Sequence, residues 1–273
     1  MIYMGHYFSN SNDTFSGMSG VAIHSFKKII SELQSDGSEL ILDDGLACHK
    51  LIARICLENN VKVACAIPST IINKDEFLTV HKVHICLANL SKRDLKYAIN
   101  SFFDYQNLSD VVLQNGIYSH QSSHMSEKVF KYLINYTSLD TEPLLNFLFN
   151  SLSSEVDFSD FYLNRNDISE LSNEGVTILP HGVTHQNLCV LESLSEHRVT
   201  VEIKNSVNFA NHYNPVTRFV LPYGTPNSIS DKLLVIMREN GINEVLAALP
   251  DLSGYNLDKK EILVPRTDIA RIV

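Results

Sequence analysis

Short apolar runs and stripes with a helical period take turns along this chain, and their order predicts strands alternating with helices. Leu40-Ile41-Leu42 reads as a buried strand, Leu51, Ile52, Ile55 and Cys56 as one helical face, and Val61 to Ile67 as a second strand. Residues 39 to 68 are therefore expected to form a βαβ unit. Val176 to Leu179 follows a short helix that Gly175 ends, and it stops at Pro180. Ser193-x-x-Glu196 has the pattern of a capping box and predicts a helix from Ser193, with Val199, Ile203 and Val207 buried. Arg218 to Leu221 is again strand-like. Ser228-x-x-Asp231 opens a helix carrying Ile229, Leu233, Ile236 and Met237, closed by Gly241. Val245 to Leu249 and Ile262 to Val264 complete the series. Such alternation implies a mainly parallel sheet, either a barrel or doubly wound. Residues from about 74 to 160 depart from it. They are helix-leaning, rich in Ser and Asn and without repeats, and are expected to form a helical insertion in one domain spanning 1–273.

Composition narrows the class. The 273 residues can bury a large core, and 44% hydrophobic with 19% charged residues is ordinary for a soluble globular protein. No apolar run is long enough to span a membrane, and Met1 to His6 has no basic segment followed by an apolar one, so a cytoplasmic protein is expected. A net charge of −9 without a basic run argues against nucleic acid as a partner. The five cysteines Cys48, Cys56, Cys65, Cys86 and Cys189 have no Cys-x-x-Cys spacing and read as reduced, mostly buried thiols. A homo-oligomer is left open.

The candidate chemistry lies just after the predicted strands. Asp43-Asp44-Gly45, His181-Gly182-Val183-Thr184-His185, Pro222-Tyr223-Gly224 and Pro265-Arg266-Thr267-Asp268 all occupy such positions. In parallel α/β folds these loops gather at the carboxyl ends of the strands, where such folds place their active sites. Two adjacent carboxylates repel unless something uses them. A metal would use one as a ligand and leave its neighbour to manage a proton, and two imidazoles four residues apart complete a three-ligand set with a position open for water. His120-Gln121-Ser122-Ser123-His124 has the same spacing but follows no strand, and is expected to be a solvated helix start.

Asp43-Asp44-Gly45, His181-x-x-x-His185-x-x-Leu188 and Leu221-Pro222-Tyr223-Gly224, in this order, resemble the first three motifs of the polysaccharide deacetylase family, the NodB-homology or carbohydrate esterase family 4 group. The similarity includes Phe161-Tyr162-Leu163 and Glu202-Ile203-x-x-Ser206. Pro265-Arg266-x-Asp268-Ile269 and His6-Tyr7 resemble a subgroup found in bacterial surface-glycan gene sets. The resemblance implies a distorted (β/α)7 barrel with a helical insertion and a metal-dependent N-deacylase acting on an amino sugar, nucleotide sugar or glycan. It implies Asp44, His181 and His185 as ligands of a divalent metal, Zn2+ first and Co2+, Ni2+ or Mn2+ as alternatives, with Asp43 as general base. The backbone N–H of Tyr223 would stabilise the oxyanion of the tetrahedral intermediate.

Two departures from the family pattern stand out. Many members carry an Arg two residues before the Pro of the third motif, where this chain has Val220; Arg266 is the expected substitute, ahead of Arg218. Many members also have a late His as general acid, and no histidine follows His212. His84 is the preferred replacement. His6 and His49 are expected near the mouth of the site, with Pro222 and Gly224, as substrate-binding residues. A catalytically lapsed glycan-binding protein on the same barrel is one alternative. A metal hydrolase of another amide, such as a formamide or cyclic imide, is the other.

Overall fold

A computed structural model describes residues 1–9, 20–73, 76–118, 122–152, 160–249, 251–255 and 261–271. The chain opens with strands β1 (Ile2–Gly5), β2 (Phe8–Ser9) and β3 (Val21–Ala22), helix α1 (Ile23–Ser35), β4 (Glu39–Asp43), α2 (His49–Glu58) and β5 (Lys62–Ile67). Five helices follow: α3 (Thr79–Asn89), α4 (Lys92–Phe102), α5 (Tyr105–Gln114), α6 (Met125–Tyr136) and α7 (Glu142–Asn150). The alternation then resumes with α8 (Arg165–Asn173), β6 (Thr177–Pro180), α9 (Leu188–Leu194), α10 (Glu196–Asn211), β7 (Arg218–Val220), α11 (Asp231–Glu239), β8 (Glu244–Ala247), β9 (Leu263–Pro265) and β10 (Thr267–Asp268).

Two compact units result. The first comprises Met1–Asp13, Ser19–Glu76 and Phe158–Val273, and Phe77–Asp157 makes up most of the second. In the first unit every ladder is parallel. One sheet has the order β10-β1-β4-β5-β6, another has β7-β8-β9, and β2 pairs with β3. The coarse expectation of a parallel α/β fold therefore holds, whereas a closed seven-stranded barrel is not what these ladders show. Leu40, Ile41 and Leu42 on β4 and Ala64 to Ile67 on β5 have no exposed surface, because both faces of the sheet are covered. One face contributes Ile41, Ala64, Ala66, Leu179, Val220 and Leu246 to a single buried cluster, with Ile2 and Val264 packed against it. On the other side Phe219, Val245, Ala247 and Leu263 meet Leu188, Val199, Ile203 and Met237 from α9, α10 and α11. At the amino ends of the strands Arg218 makes a bidentate pair with Glu39, both bonds 2.8 Å, and a 3.2 Å contact with Glu244.

Two helix starts differ from the sequence expectation. The helix expected from Ser193 begins instead at Glu196: α9 runs through Ser193 to Leu194, and Ser195, with extended backbone, accepts from the Arg198 amide at 3.3 Å. The Ser193 hydroxyl bonds back to the Val190 carbonyl inside α9. Likewise Ser230, not Ser228, caps α11, and Ser228 closes the short turn Pro226–Ser228. In both cases the true cap is the serine whose backbone is extended.

The second unit packs α3 to α7 around Val83, Cys86, Leu95, Ile99, Phe130, Leu133 and Leu144. His124 is the N-cap of α6, its ring accepting from the Ser126 amide while Glu127 reaches back to the His124 N–H. His120 lies outside the described residues. His84 is half-buried on α3, edge-to-face with His81 at 6.3 Å between ring centroids.

Candidate metal centre

The proposed site residues lie in the loops that follow strands, with Asp44 and His181 directly after a strand end. β4 ends at Asp43 and hands on to Asp44, β6 ends at Pro180 before His181, and β7 is followed by Leu221-Pro222-Tyr223-Gly224. Asp44, His185 and Tyr223 have φ of 79°, 59° and 63°, so three of the five non-glycine positive-φ residues among the described ones belong to this site. Each costs on the order of 1–3 kcal/mol and persists only where the surroundings over-determine it. Gly224 is fixed more strictly. At φ 59°, a Cβ there would lie 2.6 Å from the Ala248 amide nitrogen, and backbone cannot yield as a side-chain tip would.

The sharp turn at Asp44 aims its carboxylate at both histidines. Asp44 Oδ1 is 3.3 Å from His181 Nε2 and 3.1 Å from His185 Nε2, and all three side chains are buried. One donor atom from each lies within 4.8 Å of the others. His181 Nδ1–H donates to the Val220 carbonyl at 2.8 Å, which leaves the Nε2 lone pair facing Asp44. Tyr223 stacks edge-on against His185, ring centroids 5.1 Å apart. A buried set of two imidazole nitrogens and one carboxylate oxygen, with a ring oriented by a carbonyl, fits a divalent cation of the Zn2+ type. These three residues could hold one.

Asp43, on the same turn, is turned to a different partner. Arg266, in the link between β9 and β10, donates from Nη1 to Asp43 Oδ1 at 2.8 Å, with both side chains 2% exposed. His6 Nε2 lies 3.8 Å from Asp43 Oδ2. Burial pushes the Asp43 carboxyl up, but Arg266 first, then His181 and His6, pull it further down, so it lies below the usual carboxylate range. The neighbouring Tyr7 phenol moves the other way, raised by burial and then by the charge of Asp44.

The remaining expected residues divide. Pro222 and Gly224 lie in the turn beside His185, and Arg218 is at the opposite strand ends, away from Asp43. His49 is a correction: its ring has no exposed surface and does not line a mouth. Leu46 N–H donates to its Nδ1 at 3.2 Å, and its Nε2–H donates to the His6 carbonyl at 2.6 Å. It ties the Asp43-Asp44 turn to the end of β1, an inward role that its helical position alone did not separate from an outward one. Glu202 on α10 is a residue that motif reasoning left without a role. Its Oε1 accepts from the amides of Val183 and Thr184, both at 2.8 Å, between the two histidines. The available signal was its position three residues after Val199, on the edge of a buried stripe where a charge needs a partner.

No protein-family model and no curated protein matches the chain. Among solved structures, the Streptococcus pyogenes deacetylase PplD in complex with acetate matches with a TM-score of 0.54 at 11% identity, covering 98% of this chain and 91% of that one. The chain shares the fold of that protein. The BpsB deacetylase domain from Bordetella bronchiseptica also matches, with a TM-score of 0.49 at 12% identity over 98% of this chain and 94% of that one.

Proposed function

We propose that this chain belongs to the polysaccharide deacetylase family and is a metal-dependent N-deacylase, hydrolysing the amide of an acylated amino sugar in a glycan or glycan precursor. The observation that carries this reading is the buried convergence of Asp44, His181 and His185 one residue from a carboxylate held by arginine. The strands that feed the inner cluster, β1 and β4 to β9, are read as the staves of a distorted (β/α)7 barrel. A bound divalent cation, Zn2+ by preference for an N2O donor set, would supply Lewis acidity to water and to the scissile carbonyl.

The chain's own residues divide the remaining work. Asp43, ionised at neutral pH and oriented by Arg266, accepts the proton of the attacking water. The Tyr223 backbone N–H, set by its left-handed turn, is the donor for the oxyanion of the tetrahedral intermediate. For the proton taken up by the leaving amine, His6 has the geometric claim, with its side chain 35% exposed and beside Asp43, and it replaces His84 as the preferred donor. Val220 supports activity over a lapsed site: its side chain fills the core, its carbonyl orients His181, and Arg266 serves Asp43 from the link between β9 and β10.

Chelator-stripped protein reloaded with Zn2+ or Co2+ is expected to release acid from N-acetyl or N-formyl amino sugars. Asp43→Asn should keep the cation and lose about 10²–10⁴-fold in turnover, and His181→Ala should lose the cation itself. Unchanged rates in both variants would remove the mechanism.

A further inference from the structure

The loop carrying both histidines is gripped from two sides. Ser69 and Thr70 amides donate to the Gly182 and Val183 carbonyls at 3.2 and 3.0 Å. Opposite them, a single oxygen, Glu202 Oε1, accepts from the Val183 amide at 2.8 Å, the Thr184 amide at 2.8 Å and the Thr184 hydroxyl at 2.9 Å. His181 is anchored through the Val220 carbonyl, and His185 stands in the left-handed region immediately after Thr184. Backbone in that region relaxes unless neighbouring peptide groups are fixed. Three donors converging on one oxygen fix the Gly182–Val183 and Val183–Thr184 peptide groups just ahead of His185. Glu202 is in turn held by α10, anchored through Val199, Ile203 and Val207.

We propose, resting on the metal-site reading above, that Glu202 is a positioning residue that sets the His181–His185 loop in its ligating geometry without touching cation or substrate. A cleft of about 340 Å³ lined by Thr184, Gln186, Arg198 and Glu202 adjoins this contact. Removing the carboxylate would admit water to the two amides there, so the fold is expected to survive its loss.

Cation affinity measured by chelator competition, without substrate, tests this. Glu202→Ala is expected to bind Zn2+ about 10–100-fold more weakly, the usual cost of losing an outer partner of a metal ligand, and to change the visible absorption of the Co2+ form. Glu202→Gln keeps an acceptor oxygen and should restore most of the affinity and the wild-type spectrum. Thr184→Val, which removes one of the three bonds, should lose affinity several-fold and keeps the test open if the alanine variant fails to fold. Wild-type affinity and spectrum in the alanine variant, or equal loss in the Ala and Gln variants, would overturn the proposal. Because no substrate enters the measurement, a wild-type protein that binds Zn2+ but hydrolyses no acylated amino sugar would sink the deacylase reading alone.

Discussion

His49 has both ring nitrogens committed in the neutral form, one accepting from Leu46 N–H and the other donating to the His6 carbonyl. A second proton would break the first bond and place a charge in a site with no exposed surface. Burial pushes its pKa down to about 4, against the raising effect of the bond to His6 and of the nearby Asp44 charge. The sign follows directly. Above the ordinary value near 6.5 the ring is neutral in both folded and unfolded chains, so its contribution is complete there. As pH falls from 6.5 towards 4 the unfolded chain takes up a proton that the folded one refuses, and roughly 3 kcal/mol of stability is lost. The melting temperature of metal-free protein should therefore fall between pH 7 and 4.5 more steeply in wild type than in His49→Gln. Parallel curves would refute a buried neutral imidazole. At this scale the sequence made Asp43, Asp44, His181 and His185 conspicuous, because each motif combines an unusual side-chain set with a strand end. The partners of those residues were less legible. The family pattern pointed to Arg266, 223 positions from Asp43, whereas Glu202, 18 from Thr184, and His49, 43 from His6, are joined only by the folded topology.

Elements were legible wherever burial alone dictated them. β4 and β5 are continuous apolar runs because the sheet is covered on both faces, and their bounds fall within a residue or so of the expected ones. Helix starts were harder: Ser193-x-x-Glu196 and Ser228-x-x-Asp231 have the acidic residue of a capping pattern, yet Ser195 and Ser230 cap because their backbone is extended. Turns after strands carry the most constrained geometry. Pro222-Tyr223-Gly224 places two consecutive residues in the left-handed region against the backbone of the segment after β8. Gly224→Ala should therefore destabilise the protein by about 1–3 kcal/mol and shift the Tyr223 N–H, lowering turnover more than it lowers cation affinity. Equal stability and turnover in this variant would mean that the turn is free to relax.

At the scale of the whole molecule the described residues of the two units pack into separate apolar clusters. One lies on the two sides of the parallel sheets, and the other is the helical cluster around Phe130 and Leu133. The sequence is helix-leaning from about residue 74 to 160, where α3 to α7 lie, whereas closure of strands into a barrel would depend on long-range pairing that no local pattern encodes. The cysteines report on each centre separately. Cys56 and Cys65 are buried in the first unit and Cys86 in the second. Burial holds the thiols of Cys56 and Cys86 up at about 12 and raises that of Cys65 as well, so at pH 8 native protein should resist alkylation at all three. Cys48 and Cys189 are only partly buried, so these two should react before the other three, with Cys189 slowed because its thiol is raised to about 11. In pulses of alkylation along a urea gradient, labelling of Cys86 should follow the unfolding of the helical unit, and labelling of Cys56 and Cys65 that of the sheet unit. Each unit has its own core, so two midpoints are expected. One coincident midpoint for all three thiols would instead require that the units unfold as a single cooperative body.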